Sequence, residues 1–326
     1  MMENFLIVAQ QVAVLFVLMG FGAAMRRAGF FKDGAIDGIV NVLILVVTPC
    51  LIIDVFQRPF DPSMLKGLGV AFAIAVLAHA AVILIARCAV RHADENVERP
   101  LRLAVVFSNA GFMGIPLEQE VLGNEGVFYG IVYVVVFNLF IWSWGHHLMK
   151  SEECKVKSKA KGSRKVFHFS LFTFHSVLNP GTVGLALGAP LFFCSVKLPE
   201  VIGVPVHHMA NLNTPLAMIV IGYCLAGARF GKVLRMGSVY VATAIRLVLC
   251  PLLVIAALYP LRVSLDRSLM LAMVIAASAP VAAMVSMFAT KYRRDVDVSV
   301  AVVSGTTLLS ILTMPVVIAL AMEVFK

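Results

Sequence analysis

The sequence predicts an all-α integral membrane protein: ten transmembrane helices forming a five-plus-five inverted repeat, with two broken crossover helices and both termini outside. The chain is 60% hydrophobic, and its mean hydropathy is +0.94. Only 14% of its 326 residues are charged, against about a quarter in soluble domains. Three patterns carry the prediction: long apolar runs, an alternation of positive charge between them, and helix-breaking motifs that recur at a nearly constant lag.

The apolar runs define the spans. About 20 apolar residues are needed to cross roughly 30 Å of hydrocarbon, and ten runs approach that length. The N-terminus lacks the basic region and the small-residue cleavage site of a secretory signal, so the first run is expected to be retained as a span. The predicted spans, numbered 1 to 10 in order, cover residues 5–25, 35–56, 66–86, 101–122, 125–147, 177–196, 206–228, 237–259, 268–290 and 297–322.

The positive charges alternate between connections. Those after spans 1, 3, 5, 7 and 9, with their flanking residues, carry 20 Lys and Arg residues. Those after spans 2, 4, 6 and 8, together with the C-terminal tail, carry 6. Because positively charged loops stay cytoplasmic, we expect both termini outside and the basic connection 148–176 inside. The net charge of +9 then belongs to cytoplasmic loops, and no nucleic-acid partner is expected.

The two halves of the chain repeat each other. Thr48–Pro49 in span 2 recurs as Thr214–Pro215 in span 7, a lag of 166 residues. Pro116 in span 4 recurs as Pro280 in span 9, a lag of 164. Five spans per half is an odd number, so the second half must enter the membrane from the opposite face. The predicted domains are the first repeat at 1–147, the basic cytoplasmic loop at 148–176 and the second repeat at 177–326.

Span 4 contains the stretch SNAGFMGIP at residues 108–116, which is poor material for a helix in lipid. Irregular backbone survives at membrane depth only where protein or a water-filled cavity satisfies its polar groups. We expect span 4 to unwind at 109–115 and span 9 at 277–280, so that two half-helix N-termini meet near the midplane. Interrupted segments at matching places in inverted halves indicate a transporter's binding site.

The exposed ends of such half-helices suit a carboxylate, because they present free N–H groups and about half a positive charge. Gly111 and Gly114 would let the backbone approach a ligand closely. Pro116 would begin the second half-helix. The Asn109 amide both donates and accepts, so it would cap a broken end, contact the substrate, or do both.

Four further residues complete the candidate substrate site: Asn138, Arg246, Ser278 and Pro280. Arg246 lies about ten residues into span 8, and it either holds the substrate's carboxylate or ties down carbonyl groups of an unwound segment. Asn138 either lines the pocket or bonds a neighbouring helix. Asn213–Thr214–Pro215 either faces the pocket or belongs to helix packing.

Ionisable groups at depth are scarce. His79 is the one candidate proton relay, with a core histidine as the alternative interpretation. The carboxylates of Asp54, Glu118 and Glu120 are expected nearer the outer face. The six cysteines are scattered singly, which indicates neither a disulfide framework nor a metal site. No cofactor is expected, and the coupling ion is left open between H⁺ and Na⁺.

Residues 107–145, FSNAGFMGIPLEQEVLGNEGVFYGIVYVVVFNLFIWSWG, resemble the auxin efflux carrier family. The shared elements are the Asn-x-Gly-Phe-x-Gly-x-Pro break, the turn at Gly123–Gly126, and Phe137–Asn138 ahead of Trp142, Trp144 and Gly145. The resemblance implies a scaffold of spans 1, 2, 6 and 7, which would also form a homodimer. Spans 3–5 and 8–10 would form a moving transport domain.

The resemblance also implies a substrate class. Bacterial members are described as carriers of small dicarboxylates such as malonate or malate, and plant members export indole-3-acetic acid. The plant carriers have an Asn near the second break, where this chain has Ser278-Ala279-Pro280, and their central loop is long. Both departures favour the bacterial, malonate- or malate-permease-like type.

We therefore expect a secondary active transporter of a small organic anion, a mono- or dicarboxylate, working by alternating access in the cell inner membrane. Its partners would be the substrate and the lipid bilayer. A cation–proton antiporter on a related fold and an exporter of auxin-like aromatic carboxylates are the alternatives. An enzyme is not expected, because no H-E-x-x-H, G-x-S-x-G or Walker motif and no midplane carboxylate pair is present.

Overall fold

A computed structural model describes residues 2–31, 34–60, 62–150, 180–227 and 231–326. Within those ranges the chain is helical, and its one β-type contact is an isolated antiparallel bridge between Ser108 and Val281. Most of the predicted basic loop 148–176, and the predicted start of span 6, lie outside the described residues. The helices are α1 (Met2–Arg27), α2 (Ala35–Val42), α3 (Thr48–Phe56), α4 (Pro62–Ala89), α5 (Glu95–Val106), α6 (Ile115–Phe140), α7 (His146–Met149), α8 (Pro180–Phe193), α9 (Glu200–Asn211), α10 (Asn213–Leu225), α11 (Gly237–Ala244), α12 (Cys250–Leu258), α13 (Arg267–Ser278), α14 (Met284–Lys291) and α15 (Val296–Val324).

Six helical segments of the described chain are long and apolar enough to cross a membrane. They are Phe5–Arg27, Ala35–Phe56, Met64–Ala89, Ala110–Met149, Gly237–Leu261 and Val296–Val324. Two shorter apolar helices, Val183–Phe193 and Arg267–Ser278, accompany them. The described part of the chain is therefore helical, and its apolar segments indicate a multi-pass membrane protein.

The segment Ala110–Met149 is not one straight rod. Gly123 has φ +66° and ψ −159°, a conformation that suits glycine because it has no Cβ. Gly130 lies against the side chain of Glu118, although twelve residues of straight helix would separate them by about 18 Å. The chain therefore folds back at Gly123, between the predicted spans 4 and 5. We call residues 115–122 and 124–140 the two arms of α6.

Several helices start at an aspartate cap. Asp94 accepts from the N–H of Asn96, Asp266 from those of Ser268 and Leu269, and Asp295 from that of Val298. Each carboxylate satisfies an orphan donor of the first turn and complements the positive end of the helix dipole.

Proline marks the places where long helices change geometry. The π-helical turn Leu43–Val47 precedes Thr48–Pro49, and Leu212 separates α9 from α10 just before Thr214–Pro215. A second π-helical turn, Ile245–Leu249, precedes Pro251 and contains Arg246. Proline cannot donate the i→i−4 bond and crowds the preceding turn, so a local widening of the helix is the expected adjustment.

Glycine permits close helix packing on one side of the molecule. A Cβ at Gly22 of α1 would overlap the Ile219 carbonyl of α10, and a Cβ at Gly222 of α10 would overlap the Met19 carbonyl of α1. The helices α3 and α8 approach in the same way at Gly184 and Gly188. Such small-residue contacts let membrane helices pack backbone to backbone.

The other side of the molecule surrounds α13. Every residue from Leu269 to Ser278 is buried, which is typical of a helix that is apolar all round and enclosed by other helices. It packs against α6, α12 and α15. The end of this central helix, at Ser278, is where the candidate site begins.

Candidate functional site

Two helices stop inside the molecule and their unwound ends pair with each other. The helix α5 ends at Val106, and Phe107 is extended with φ −104° and ψ 108°. The helix α13 ends at Ser278, and Ala279 has φ −59° and ψ 146°. The N–H of Asn109 donates to the carbonyl of Pro280 at 2.6 Å, and the N–H of Ala282 donates to the carbonyl of Phe107 at 2.9 Å. The two breaks therefore cross in direct contact.

The breaks are shifted from the predicted positions. Span 4 unwinds at 107–109, not at 109–115, because Ala110–Gly114 already forms a π-helical turn that continues into α6. Span 9 unwinds over 279–283, slightly beyond the predicted 277–280. Pro116 lies in the first turn of α6, and the π-helical turn extends that half-helix back to Ala110. The helix-breaking residues predicted approximately where each helix is interrupted. Which residues unwind depends on the hydrogen bonds between the two interrupted segments.

The carbonyl ends of both first half-helices are held by one guanidinium. Arg246, only 1% exposed, donates from Nη1 to the carbonyls of Val105 and Val106 at 3.1 and 3.2 Å, and from Nη2 to the carbonyl of Ala277. These are the free C-terminal carbonyls of α5 and α13, which carry the negative ends of two helix dipoles. Of the two interpretations of Arg246, the geometry supports tying down carbonyls. Its Nε has no partner in the described chain.

The N-terminal end of the second half-helix at the first break presents free donors. Met113 and Gly114 both donate to the Asn109 carbonyl, which leaves the N–H groups of residues 110–112 ahead of the first intrahelical bond. A Cβ at Gly111 would meet no atom within 4 Å, so this end faces open space. Gly114 faces α13. A Cβ at this position would lie 3.6 Å from the Cα atom of Ala276.

Asn109 is the polar side chain best placed for a ligand. It is 5% exposed, begins the π-helical turn, and makes no capping hydrogen bond. No side-chain hydrogen bond joins it to the described residues. Capping, one of its two predicted roles, is therefore not what the amide does here. A buried amide without a protein partner is expected to bond a ligand or water.

The remaining predicted site residues are satisfied locally. Asn138 donates to the Val134 carbonyl of its own helix at 2.8 Å, and Ser278 donates to the Ile275 carbonyl at 2.9 Å. Pro116 is buried, and Pro280 contributes its carbonyl to the pairing with Asn109. The crossing thus joins Asn109, Pro280, Ser278 and Arg246, whereas Asn138 bonds within the second arm of α6.

A row of hydroxyls on α15 supports the second break and was not predicted. The N–H of Val281 donates to Oγ1 of Thr306 at 3.1 Å, and Thr306 donates to the Val302 carbonyl at 2.7 Å. Ser299 and Ser310 are also buried. Thr306 and Ser310 follow Ser299 by 7 and 11 residues, so all three hydroxyls lie on one face of the helix. This periodicity within an apolar span was the sequence signal that could have predicted the row.

The comparisons with known proteins decide the family. The family described as "Membrane transport protein" matches residues 7–318, nearly the whole chain. The chain belongs to this membrane transport family. It is the auxin efflux carrier family that residues 107–145 resemble. The comparison with curated proteins gave no match. The two paired breaks are thus features of a transporter.

In this transporter a cavity of about 410 Å³ adjoins the second half-helix of the first break. Its lining includes Ile115, one residue before Pro116, but none of the eight predicted site residues. Amides and a hydroxyl dominate its polar lining: Gln119, Asn124, Asn211, Asn213 and Thr214. Asn213–Thr214–Pro215 therefore lines this cavity, and whether it also faces the predicted substrate pocket stays a prediction.

The charged residues of the cavity lie at its rim and beside it. Oδ2 of Asp54 lies 3.0 Å from Nδ1 of His207, and Glu120 is exposed.

His79 lies away from the cavity and is fully enclosed. Its Nδ1 is 2.8 Å from the Ala75 carbonyl, its ring stacks on Phe140, and its Nε2 has no partner in the described chain. The transporter's histidine at depth is therefore an aromatic-core residue with one free nitrogen.

Proposed function

We propose that this transporter is a secondary carrier of a small organic anion, a mono- or dicarboxylate of the malonate or malate type, in the cell inner membrane. The main support for this proposal is that two interrupted helices cross in direct contact. The side-chain amide of Asn109, which has no hydrogen-bond partner among the described residues, lies at the start of the half-helix that follows the first break. A carboxylate there would accept from the free N–H groups of residues 110–112 and from the Asn109 amide.

The charge arrangement at the crossing favours an anion. Arg246 already satisfies the carbonyl ends of α5 and α13, which are the groups that would otherwise coordinate a sodium ion. The opposite ends carry partial positive charge, each stabilising an anion by about 0.3–1 kcal/mol and up to about 2 kcal/mol where partly buried. The site therefore has donors to offer and few free acceptors.

The contacts between connections support the ten-span plan. Residues that the charge count assigns to the cytoplasmic face contact one another: Arg294 donates to the Met149 carbonyl and to Asn96, and Arg99 donates to the Lys150 carbonyl. Residues assigned to the outer face do the same: Phe60 N–H donates to Ser195, and Ser268 donates to Glu125. A miscounted span would have mixed the two sets.

The helix packing supports an inverted repeat with a scaffold and a moving domain. Predicted span 1 packs on span 7 and span 2 on span 6, which are equivalent pairs under exchange of the two halves. The cavity lies between these scaffold helices and the first arm of α6. We propose that α4–α7 and α11–α15 move against the scaffold as the transport domain, carrying the crossing past the cavity.

The test is uptake by the purified chain in proteoliposomes. Malonate and malate are offered as radiolabelled substrates, with succinate, acetate and indole-3-acetate as competitors, and the same panel is used in a thermal-shift assay. A ligand at 100 times its Kd raises stability by about 2.7 kcal/mol, so binding and uptake should select the same anion. Cation flux in the absence of any carboxylate would favour an antiporter, and aromatic acids alone would favour the exporter alternative.

A further inference from the structure

One ionisable group in the transporter has no role in the crossing or in the cavity. Glu118 is 0% exposed, and neither of its carboxyl oxygens has a hydrogen-bond partner in the described chain. The sequence predicts this residue nearer the outer face, and the structure adds that its side chain is enclosed by protein. The reason is the reversal at Gly123, which brings the second arm of α6 over the side chain. The absence of a side chain at Gly130 provides the space, since a Cβ there would overlap the carboxyl group.

The surroundings of Glu118 offer no compensating charge. No charged side chain of the described residues acts on the carboxyl group. Several titratable groups on the helices packed around it are bonded elsewhere: Asp54 pairs with His207, Ser268 donates to Glu125, Arg267 donates to the Met322 carbonyl, and Nδ1 of His79 lies against the Ala75 carbonyl. The side chains of Glu120, Lys66 and Arg87 are exposed, Cys50 is half-buried, and the rings of Tyr129 and Tyr133 pack against Phe128 and His79.

An ionised carboxylate is strongly disfavoured in such a place, whereas the neutral acid is tolerated. The position is nevertheless close to water and to the site. Glu118 is eight residues into the second half-helix, about 12 Å along its axis from Ala110. Its neighbour Gln119 lines the cavity, and Gln119 Oε1 also lacks a partner in the described chain. A modest displacement of the first arm of α6 would bring the acid to the cavity.

We propose that Glu118 is a proton-binding site that is neutral in this conformation and releases its proton when movement of the transport domain exposes it to the cavity. The carrier then moves a proton together with its organic anion. The first statement concerns the protein alone, and the second rests on the proposed function. The proton is bound by a carboxylate oxygen in one conformation and passes to cavity water in the other, so no other reactant is required.

The first experiment detects the proton without any substrate. Infrared spectra of the reconstituted full-length protein are recorded during a pH titration, and the carbonyl stretch of a protonated carboxylic acid is followed. Wild type should retain this band at neutral pH, Glu118→Gln should lose it, and the matched control Glu120→Gln should retain it. A neutral-pH band absent from wild type, or unchanged in Glu118→Gln, would overturn the site.

The second experiment tests coupling. Proteoliposomes containing a pH-sensitive dye are given a malonate gradient, and then an imposed pH gradient. Wild type and Glu200→Gln, whose side chain is exposed and outside the cavity lining, should move protons with malonate and respond several-fold to the pH gradient. Glu118→Gln should keep malonate exchange but lose both responses. A Glu118→Gln protein with wild-type responses would overturn the coupling.

The two proposals fail separately. If wild type carries no carboxylate but the infrared band disappears in Glu118→Gln, the proposed function fails and the proton site stands. If Glu118→Gln does not fold, wild type alone decides, through titration calorimetry with malonate in buffers of different ionisation enthalpy. A buffer-dependent heat supports a bound proton, and a buffer-independent heat overturns the coupling.

Discussion

The backbone N–H of Asn109 lies 2.6 Å from the carbonyl oxygen of Pro280, although the two residues belong to opposite halves of the chain. Together with the bond from Ala282 to Phe107, this contact joins the two unwound segments into one short antiparallel pair. Because each segment supplies the hydrogen-bond partner that the other has lost, neither break is stable alone in a membrane. We expect the two broken helices to move as one body during transport.

Cross-linking tests that pairing directly. Ser108 and Val281 face each other as a non-hydrogen-bonded antiparallel pair, with one of the two hydrogen bonds on either side. The Cα atoms of such a pair are about 4.5 Å apart. Cysteines at both positions should therefore form a disulfide readily, since its usual Cα separation is about 4.4–6.8 Å. The measurement uses a background without the native cysteines and a mass shift after thiol blocking. The control pair is Ser108→Cys with Thr290→Cys. Because Thr290 lies in α14, beyond the second unwound segment, this pair should stay reduced.

Asn109→Ala should reduce anion uptake without unfolding the protein. The amide makes no hydrogen bond to the described chain, so its loss removes a contact to the ligand and not a structural bond. A hydrogen bond to a charged group contributes about 1.5–3 kcal/mol, which corresponds to roughly a 10- to 100-fold loss of affinity. Uptake in proteoliposomes and thermal stability are measured on the same preparations.

The matched control for this substitution is Asn138→Ala. That amide already bonds the Val134 carbonyl of its own helix, so uptake should stay within a few-fold of wild type. Equal losses in both variants, or none in Asn109→Ala, would contradict the assignment of Asn109 to the substrate site.

Arg246→Met should destabilise the protein. The substitution leaves the buried carbonyls of Val105, Val106 and Ala277 without their shared donor. Removing one partner of a buried charged interaction costs about 3–5 kcal/mol, and unfolding in detergent should show a loss of that order. Arg246→Lys should recover only part, because an ammonium group lacks the planar fork that reaches both helix ends.

The control is Arg262→Met, since Arg262 is exposed and rests on the Tyr259 ring. Its stability should change by about 0.5 kcal/mol or less. If Arg246→Met instead kept full stability and raised only the KM for the anion, the guanidinium would be a substrate ligand and not a structural tie.

Gly222→Ala should separate α1 from α10. The new Cβ would overlap the Met19 carbonyl, and overpacking of this kind costs about 1–3 kcal/mol. The control Gly20→Ala lies on α1 with no atom within 4 Å of its Cβ position, so it should gain up to about 1 kcal/mol from helix propensity. Opposite signs of the two stability changes in the same denaturation assay are the expected result. A stabilised Gly222→Ala protein would contradict the close approach.

Much of the fold was predictable because its causes are local. The length of an apolar run determines whether a helix reaches across a membrane, and Pro, Gly and Asn weaken a helix wherever they occur. Both broken helices were therefore predictable, and their positions were displaced by only a few residues. The exact positions depended on distant partners. The Pro280 carbonyl accepts from the N–H of Asn109, so the chain unwinds at residues 107–109, and residues 110–114 remain helical.

The candidate site was predictable only in part, for the same reason. Asn109 and Arg246 stood out as polar groups in apolar spans, but only the packing distinguishes a free amide from a guanidinium bonded to three carbonyls. Gln119 was not predicted as a site residue, and Asn213 was left between the pocket and helix packing, because hydropathy does not indicate which face of a helix borders a cavity. The enclosure of Glu118 was not predicted, because it depends on the fold-back at Gly123.

The sequence by itself determined that the chain is a helical membrane protein, where its helices are weakest, and which connections carry positive charge. Those properties follow from hydropathy, backbone propensity and formal charge, which each residue carries with it. Only the tertiary structure decided that the two weak points meet, that one arginine bonds both helix ends, and that one glutamate is enclosed without a hydrogen-bond partner among the described residues. Those facts depend on which groups, far apart along the chain, lie within hydrogen-bonding distance.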